Sequence, residues 1–114
     1  MLVMTKKVFV YIWKYIVIEE HLEEFKRIYE PEGDWAQLFK KADGYLATDL
    51  HQDKSNAKKF VTVDFWKTKD DRDNFRNQFS EEFKALDEHC ESFTEREELI
   101  GDFDSYTNRL SNVE

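Results

Sequence analysis

The run Val8–Ile18, VFVYIWKYIVI, constrains the fold more than any other part of the chain. It reads as a strand with bulky apolar side chains on both faces. Val8, Val10, Ile12, Ile16 and Ile18 fall on one side, and Phe9, Tyr11, Trp13, Tyr15 and Val17 on the other. Side chains alternate along a strand, so a sheet with one wet face should alternate apolar with polar residues. This strand does not, and both of its faces need cover. A chain of 114 residues forms one domain and has little helix to spend on two faces.

Helical periodicity follows over Glu19–Glu30, where Leu22, Phe25, Ile28 and Tyr29 share a side. Pro31 and Gly33 end that helix. Asp34 and Gln37 have the spacing of a capping box. They predict a short second helix over Trp35–Asp43, closed by Gly44. Tyr45–Gln52 and Lys59–Lys67 read as antiparallel strands around the turn residues Asp53–Ala57. Thr68 and Asp71 form a second capping pattern. The helix after them carries Phe75, Phe79, Phe83, Leu86 and Cys90 on one stripe and should run to Cys90 or Glu91. Phe93–Phe103 is a weaker last strand, and the polar Ser105–Glu114 is expected to be a mobile tail after a core of residues 7–103. The order strand, helix, strand, strand, helix, strand is that of a ferredoxin-like split βαβ, an α+β fold with helices on one face of a four-stranded antiparallel sheet.

In that arrangement the second sheet face is bare. Four strands at ~4.8 Å spacing and ~25 Å length present roughly 500 Å². Monomers seldom expose apolar patches beyond a few hundred Å². Val61, Val63 and Phe65 make one wholly apolar face of their strand, in agreement with the first strand. A second copy of the chain would cover this surface, so a homodimer is expected, its two sheets closing into a dimeric α/β barrel.

The net charge of −8 argues against nucleic-acid and acidic membrane surfaces, because phosphate contacts need clustered Lys and Arg. Cys90 is the only cysteine, so no intramolecular disulfide is expected. Lys6-Lys7 before an apolar run mimics a signal peptide, but Lys14 interrupts the run and Glu19-Glu20 follow it. The run is also too short to span a bilayer. These features read as a soluble, cytoplasmic protein.

Chemistry is concentrated on the face formed by Thr62, Asp64 and Trp66. Turned toward the helices, this face lines a cleft with Trp35 and the Phe75, Phe79, Phe83 stripe above it. Desolvation raises a buried carboxyl's pKa, so Asp64 is a candidate general base near neutral pH, or else an acceptor for nearby hydroxyl or indole donors. Tyr11, Trp13 and Tyr15 share a face that suits a flat ring, a plain core or a dimer seam. Asp49, His51 and Asp53 alternate onto one face, yet Asp53 lies in the turn and no second histidine is close, so no metal site is expected. Cys90 ends an apolar stripe and reads as a small core residue.

Thr62-Val-Asp-Phe-Trp66-Lys-Thr-Lys, followed by a helix with Phe75 and Phe83, resembles the antibiotic biosynthesis monooxygenase (ABM) domain family. The resemblance covers about Lys7–Phe103. It implies a ferredoxin-like fold, a homodimer with facing sheets, and a pocket in each subunit between sheet and helices. Characterised monooxygenases of that family oxidise aromatic polyketides without metal or flavin. The deprotonated substrate passes electrons to O₂ itself, and the protein supplies a dry pocket, orientation and a proton acceptor. Under this resemblance no cofactor is expected. Asp64 is the base, Thr62 and Tyr11 are polar contacts, and Trp66 and Trp35 are walls. Thr62 stands where such members carry a substrate-contacting amide. Haem-degrading relatives have an Asn on the first strand and a Trp on the helix; here the first strand lacks Asn and the helical position is Phe75, so haem degradation is disfavoured. The sequence thus implies a cofactor-free oxygenase acting on an aromatic or quinol-like molecule. The alternative is a non-catalytic dimeric module that binds a small hydrophobic ligand or serves as an accessory subunit.

Overall fold

The computed structural model describes residues 5–110. Strand β1 (Lys6–Val17) is followed by a 3-10 turn (Glu19–His21), helix α1 (Leu22–Tyr29) and helix α2 (Asp34–Phe39). Strands β2 (Tyr45–Gln52) and β3 (Lys59–Trp66) form the hairpin. Helices α3 (Lys69–Gln78) and α4 (Ser80–Cys90), a 3-10 turn (Glu91–Phe93) and strand β4 (Thr94–Thr107) complete the chain. The sheet order is β2-β3-β1-β4, antiparallel throughout. This is the ferredoxin-like α+β fold, with the long apolar β1 in the centre.

Apolar spacing explains the helices. Phe25, Ile28 and Tyr29 are buried on α1, and Trp35, Leu38 and Phe39 on α2. They pack with Phe9, Tyr11, Tyr15, Val17, Phe60 and Trp66 in one core on the covered face of the sheet. Thr68 caps α3 as its spacing predicts, accepting from the Asp71 amide at 3.1 Å. Gly44 adopts φ +89°, where a Cβ would also collide with the Asp71 carboxylate. Both the turn into β2 and the close approach of α3 therefore require glycine.

Four boundaries differ from the sequence pattern. The Asp34 capping box does not form: Gly33 is the N-cap, and the Gln37 side chain instead donates to the Glu32 carbonyl at 3.2 Å. Helix α2 ends at Phe39, short of Asp43, because the amides of Lys41 and Ala42 bond three residues back and tighten the last turn. The expected single helix from Thr68 to Cys90 breaks at Phe79, whose φ and ψ of −113° and 33° are not helical. β4 does not stop at Phe103: Ser105, Tyr106 and Thr107 pair with Val8, Lys7 and Lys6, so the first part of the expected tail is sheet edge. Polar side chains tolerate that position because the strand is exposed. The end of the expected tail, residues 111–114, lies outside the described residues.

Two register shifts matter for the site. In β4, Gly101 pairs with Ile12 and Leu99 with Trp13, leaving Ile100 as an extra residue. In β2, Tyr45 pairs with Trp66 and Ala47 with Phe65, leaving Leu46 extra. A bulge exchanges the faces of everything beyond it. Glu97 therefore shares the covered face with its partner Tyr15, whereas Phe103 shares the opposite face with Val10.

Among the described residues, no helix packs on that opposite face. On it lie Val8, Val10, Ile12, Val61, Val63, Phe65 and Phe103. The side chains of Val61, Val63 and Phe65 are only half-buried, and Phe103 is 43% exposed. Among the described residues, no helix is long and apolar enough to cross a membrane.

Candidate functional site

Asp64 occupies the middle of β3, beside Thr48 of β2 and Tyr11 of β1 in register. It is 6% exposed. The Thr48 hydroxyl donates to Asp64 Oδ1 at 2.7 Å. That uses its single proton, so the Tyr45 hydroxyl must be the donor in its 2.8 Å bond to Thr48 Oγ1. The result is a directed chain from Tyr45 through Thr48 to the carboxylate. The β2 bulge makes it possible by placing Tyr45 on the covered face.

Burial pushes the Asp64 pKa up to about 7. Hydrogen bonds from Thr48 and Tyr11 and the charge of Arg76 oppose that shift without cancelling it. A carboxyl in this state is a proton acceptor matched to neutral pH. Tyr11 and Tyr15 are held protonated, burial raising their pKa values above the usual tyrosine range. The Thr62 hydroxyl faces Tyr15 at 3.5 Å.

A cleft of about 80 Å³ opens beside Asp64. Thr48 and Thr62 line it with Asp64, and Tyr11, Trp13, Tyr15, Tyr29, Trp35 and Phe83 form its walls. A single water needs roughly 10–15 Å³ on this scale, so the cleft has room for several waters. Arg76 enters it from α3. Its guanidinium lies over the rings of Tyr11 at 5.5 Å and Phe83 at 5.6 Å. Arg76 Nε is buried with no hydrogen-bond partner among the described residues. Exposed Asp87 and Glu97 stand at the mouth. Partial burial, then the nearby charges of Asp87 and Glu91, raises the Glu97 pKa above the usual carboxylate range.

The neighbouring Arg72 has a different job. It is 5% exposed, lies over Phe9 and Tyr11 at 5.0 and 4.8 Å, and contacts Asp73 at 2.9 Å and Asp102 at 3.4 Å. Its charge is spent on fastening α3 to β1 and β4.

Of the residues singled out from sequence, Asp64, Thr62, Tyr11, Trp35 and Phe83 line the cleft. Trp66, Phe75 and Phe79 do not. Trp66 is fully buried among Phe39, Tyr45 and Phe75, at ring separations of 5.5–5.7 Å. Phe75 is buried with it, and Phe79 stacks on Phe75 at 5.7 Å. The apolar stripe of α3 and α4 could not distinguish core from wall. Arg76, Thr48, Tyr45 and Glu97 escaped the sequence reading. Arg76 carried one signal, a charge one residue beyond Phe75 on the helix facing the sheet; Tyr45 and Glu97 carried none, because bulges bring them in.

Asp49 and His51 lie on the opposite sheet face, paired with Val63 and Val61. Asp53 accepts from the amides of Ser55 and Asn56 at 2.6 and 3.0 Å and so closes the hairpin turn. Cys90 is buried, and desolvation raises its thiol pKa, the opposite of what a nucleophile requires.

The family described as antibiotic biosynthesis monooxygenase matches residues 9–89, more than half of the chain. No curated protein sequence matches. Among solved structures, a variant of SnoaB, a cofactor-independent oxygenase from Streptomyces nogalater, superposes with a TM-score of 0.67 at 16% identity, over 86% of this chain and 92% of that one. PA3566 from Pseudomonas aeruginosa gives 0.60 at 18% identity, over 90% and 95%. SO0527 from Shewanella oneidensis gives 0.62 at 11% identity, over 90% and 98%. At these identities the likeness is one of fold.

Proposed function

Because the chain belongs to the antibiotic biosynthesis monooxygenase family, we propose that its cleft binds a small aromatic or quinol-like molecule and that Asp64 removes a proton from it. The observation that carries this reading is a desolvated carboxylate, titrating near pH 7, in an aromatic cleft. Proton transfer to Asp64 leaves an electron-rich anion on the substrate. That anion reduces O₂ without a cofactor: one oxygen atom becomes a ring carbonyl and the other leaves as water, a ring methylene losing its two hydrogens. Trp35 and Phe83 hold the ring, Tyr11 and Thr62 give polar contacts, and the cleft limits water around the anion.

The test is oxygen uptake with a panel of dihydroxyanthrones and quinols. Turnover above buffer is expected, with kcat/KM rising through pH 7 as Asp64 ionises, and a loss of about 10²–10⁴-fold in Asp64→Asn. Consumption no faster than buffer, or an unchanged Asp64→Asn variant, refutes the catalytic reading. One observation favours a second reading, a binding module without turnover: 80 Å³ is small beside the roughly 300–1,000 Å³ of typical ligand sites. In that case the same compounds bind and are released unchanged.

The uncovered sheet face supports a homodimer. Ile12, Val61, Val63, Phe65 and Phe103 expose an apolar surface that this chain's own helices leave open. Burying it twice in a sheet-on-sheet contact would remove apolar surface of both copies from water. Sedimentation equilibrium should give twice the 13.8 kDa chain mass at micromolar concentration.

A further inference from the structure

Among the described residues, Arg76 is the one cationic side chain that lines the cleft. Among the described residues it takes part in no ion pair, whereas Arg72, four residues before it, is paired twice. Its Nε–H is buried without an acceptor. An unmet buried donor on a charged group costs more than a neutral one and calls for an explanation. Contact of the guanidinium with the Tyr11 and Phe83 rings restrains this donor within the cleft. Asp64 pairs with Tyr11 in register, and both charges act on the Tyr11 hydroxyl. The cleft therefore sets a restrained proton donor, with positive charge, near a proton acceptor. At the mouth the sign reverses, with Asp87 and Glu97 both acidic.

From this juxtaposition we propose that the ligand is a hydroxyarene that enters uncharged, and that Arg76 holds its oxygen as the arenolate forms. The inference deepens the proposed function and rests on its reading of the cleft as an aromatic site. The step balances: the O–H bond breaks, its proton passes to the Asp64 carboxylate, and its electron pair stays on the oxygen beside the guanidinium. No redox partner is needed for this step. A ligand already carrying a carboxylate meets Asp87 and Glu97 first and then Asp64, so it is disfavoured throughout. Arg76 is thus a specificity-determining residue, separate from the base.

Three one-ring probes test this. 4-Nitrophenol has the acidic hydroxyl, 4-nitroanisole replaces it with a methyl ether, and 4-nitrobenzoate replaces it with a permanent carboxylate. Nitrophenolate absorbs in the visible, so its ionisation in the cleft is read directly. The wild-type protein should bind nitrophenol at least about tenfold more tightly than nitroanisole, as a charge-assisted hydrogen bond implies. Its bound form should be more ionised than the free compound at the same pH. In Arg76→Gln both differences should vanish while nitroanisole affinity stays the same. Arg76→Lys, which keeps the charge without the planar guanidinium, should retain part of each, with far-UV circular dichroism checking that both variants fold.

Nitroanisole binding with no preference for nitrophenol, or a preference that survives in Arg76→Gln, overturns the inference and leaves the aromatic cleft standing. Tighter binding of 4-nitrobenzoate than of nitrophenol overturns it too. If none of the three binds, the reading of the cleft fails and takes the inference with it.

Discussion

The two faces of strand β3 differ by one residue in sequence and by everything in chemistry. Thr62, Asp64 and Trp66 face the helices; Val61, Val63 and Phe65 face away. The helix side tolerates a carboxylate because Thr48 donates to it and aromatic rings keep bulk water out. The other side of β3 presents mainly hydrocarbon, with the polar Asp49 and His51 beside it on β2, and among the described residues no helix covers it. A polar group needs a partner with defined geometry, which a protein can provide from its own elements. Hydrocarbon needs only coverage, which a second molecule can supply as well. Thus the covered face is fitted for specificity, and the uncovered face is the surface on which the proposed homodimer rests.

The largest expected effect lies in the core of the covered face. Trp66→Ala removes a fully buried indole that touches three rings and should cost about 3–5 kcal/mol in urea unfolding. A loss below 1 kcal/mol would mean that the core is not organised around β3.

Asp64 gives the next test. Its pKa is higher in the folded chain, about 7, than the ~4 of an unfolded aspartate. The native state is then the better proton binder. Its contribution is fully present at low pH and is lost as pH rises from about 4 to about 7, levelling off above. Asp64→Asn should remove a slope that amounts to on the order of 4 kcal/mol across that window. The carboxylates of Glu32, Asp53 and Asp73, lowered by Lys40, by the Ser55 amide and by Lys69 respectively, slope the other way and cancel in the comparison. Identical pH profiles for the two proteins would show Asp64 to be ionised and solvated.

A smaller change sharpens the same point. Thr48→Val deletes the donor to Asp64 while keeping the shape of the side chain, at an expected cost of about 1–3 kcal/mol at pH 8. It should also raise the Asp64 pKa, since the lost bond favours the charged form. Carboxyl carbon shifts in an NMR titration measure this directly.

The smallest effect on the chain's own fold belongs to the other face. Val63→Lys places a flexible charged side chain at a half-buried position and should leave the cleft and its nitrophenol affinity unchanged. In a homodimer the same substitution buries unpaired charges in the interface, so sedimentation should report a single chain. A dimer that persists would move the interface elsewhere.

Much of this was legible in the residue order. The two-sided apolar run of β1, the Thr68 cap and the helical spacing of Phe25 and Ile28 follow from local periodicity, and they define the topology. Asp64 draws notice in the residue order because a carboxylate among alternating aromatics stands out in a strand, and the fold places it in the cleft. Trp66, Phe75 and Phe79 were misassigned to the cleft because an apolar side chain has the same signature in a core as in a wall.

What the chain alone determined was which surfaces had to be hidden, because side-chain alternation and helical period are local properties. Tertiary structure decided which polar groups meet. Single-residue bulges at Leu46 and Ile100 turn Tyr45 and Glu97 toward the helices, and the packing of α3 carries Arg76 over Tyr11. Register and helix placement are settled by the whole sheet at once, so no local pattern records them.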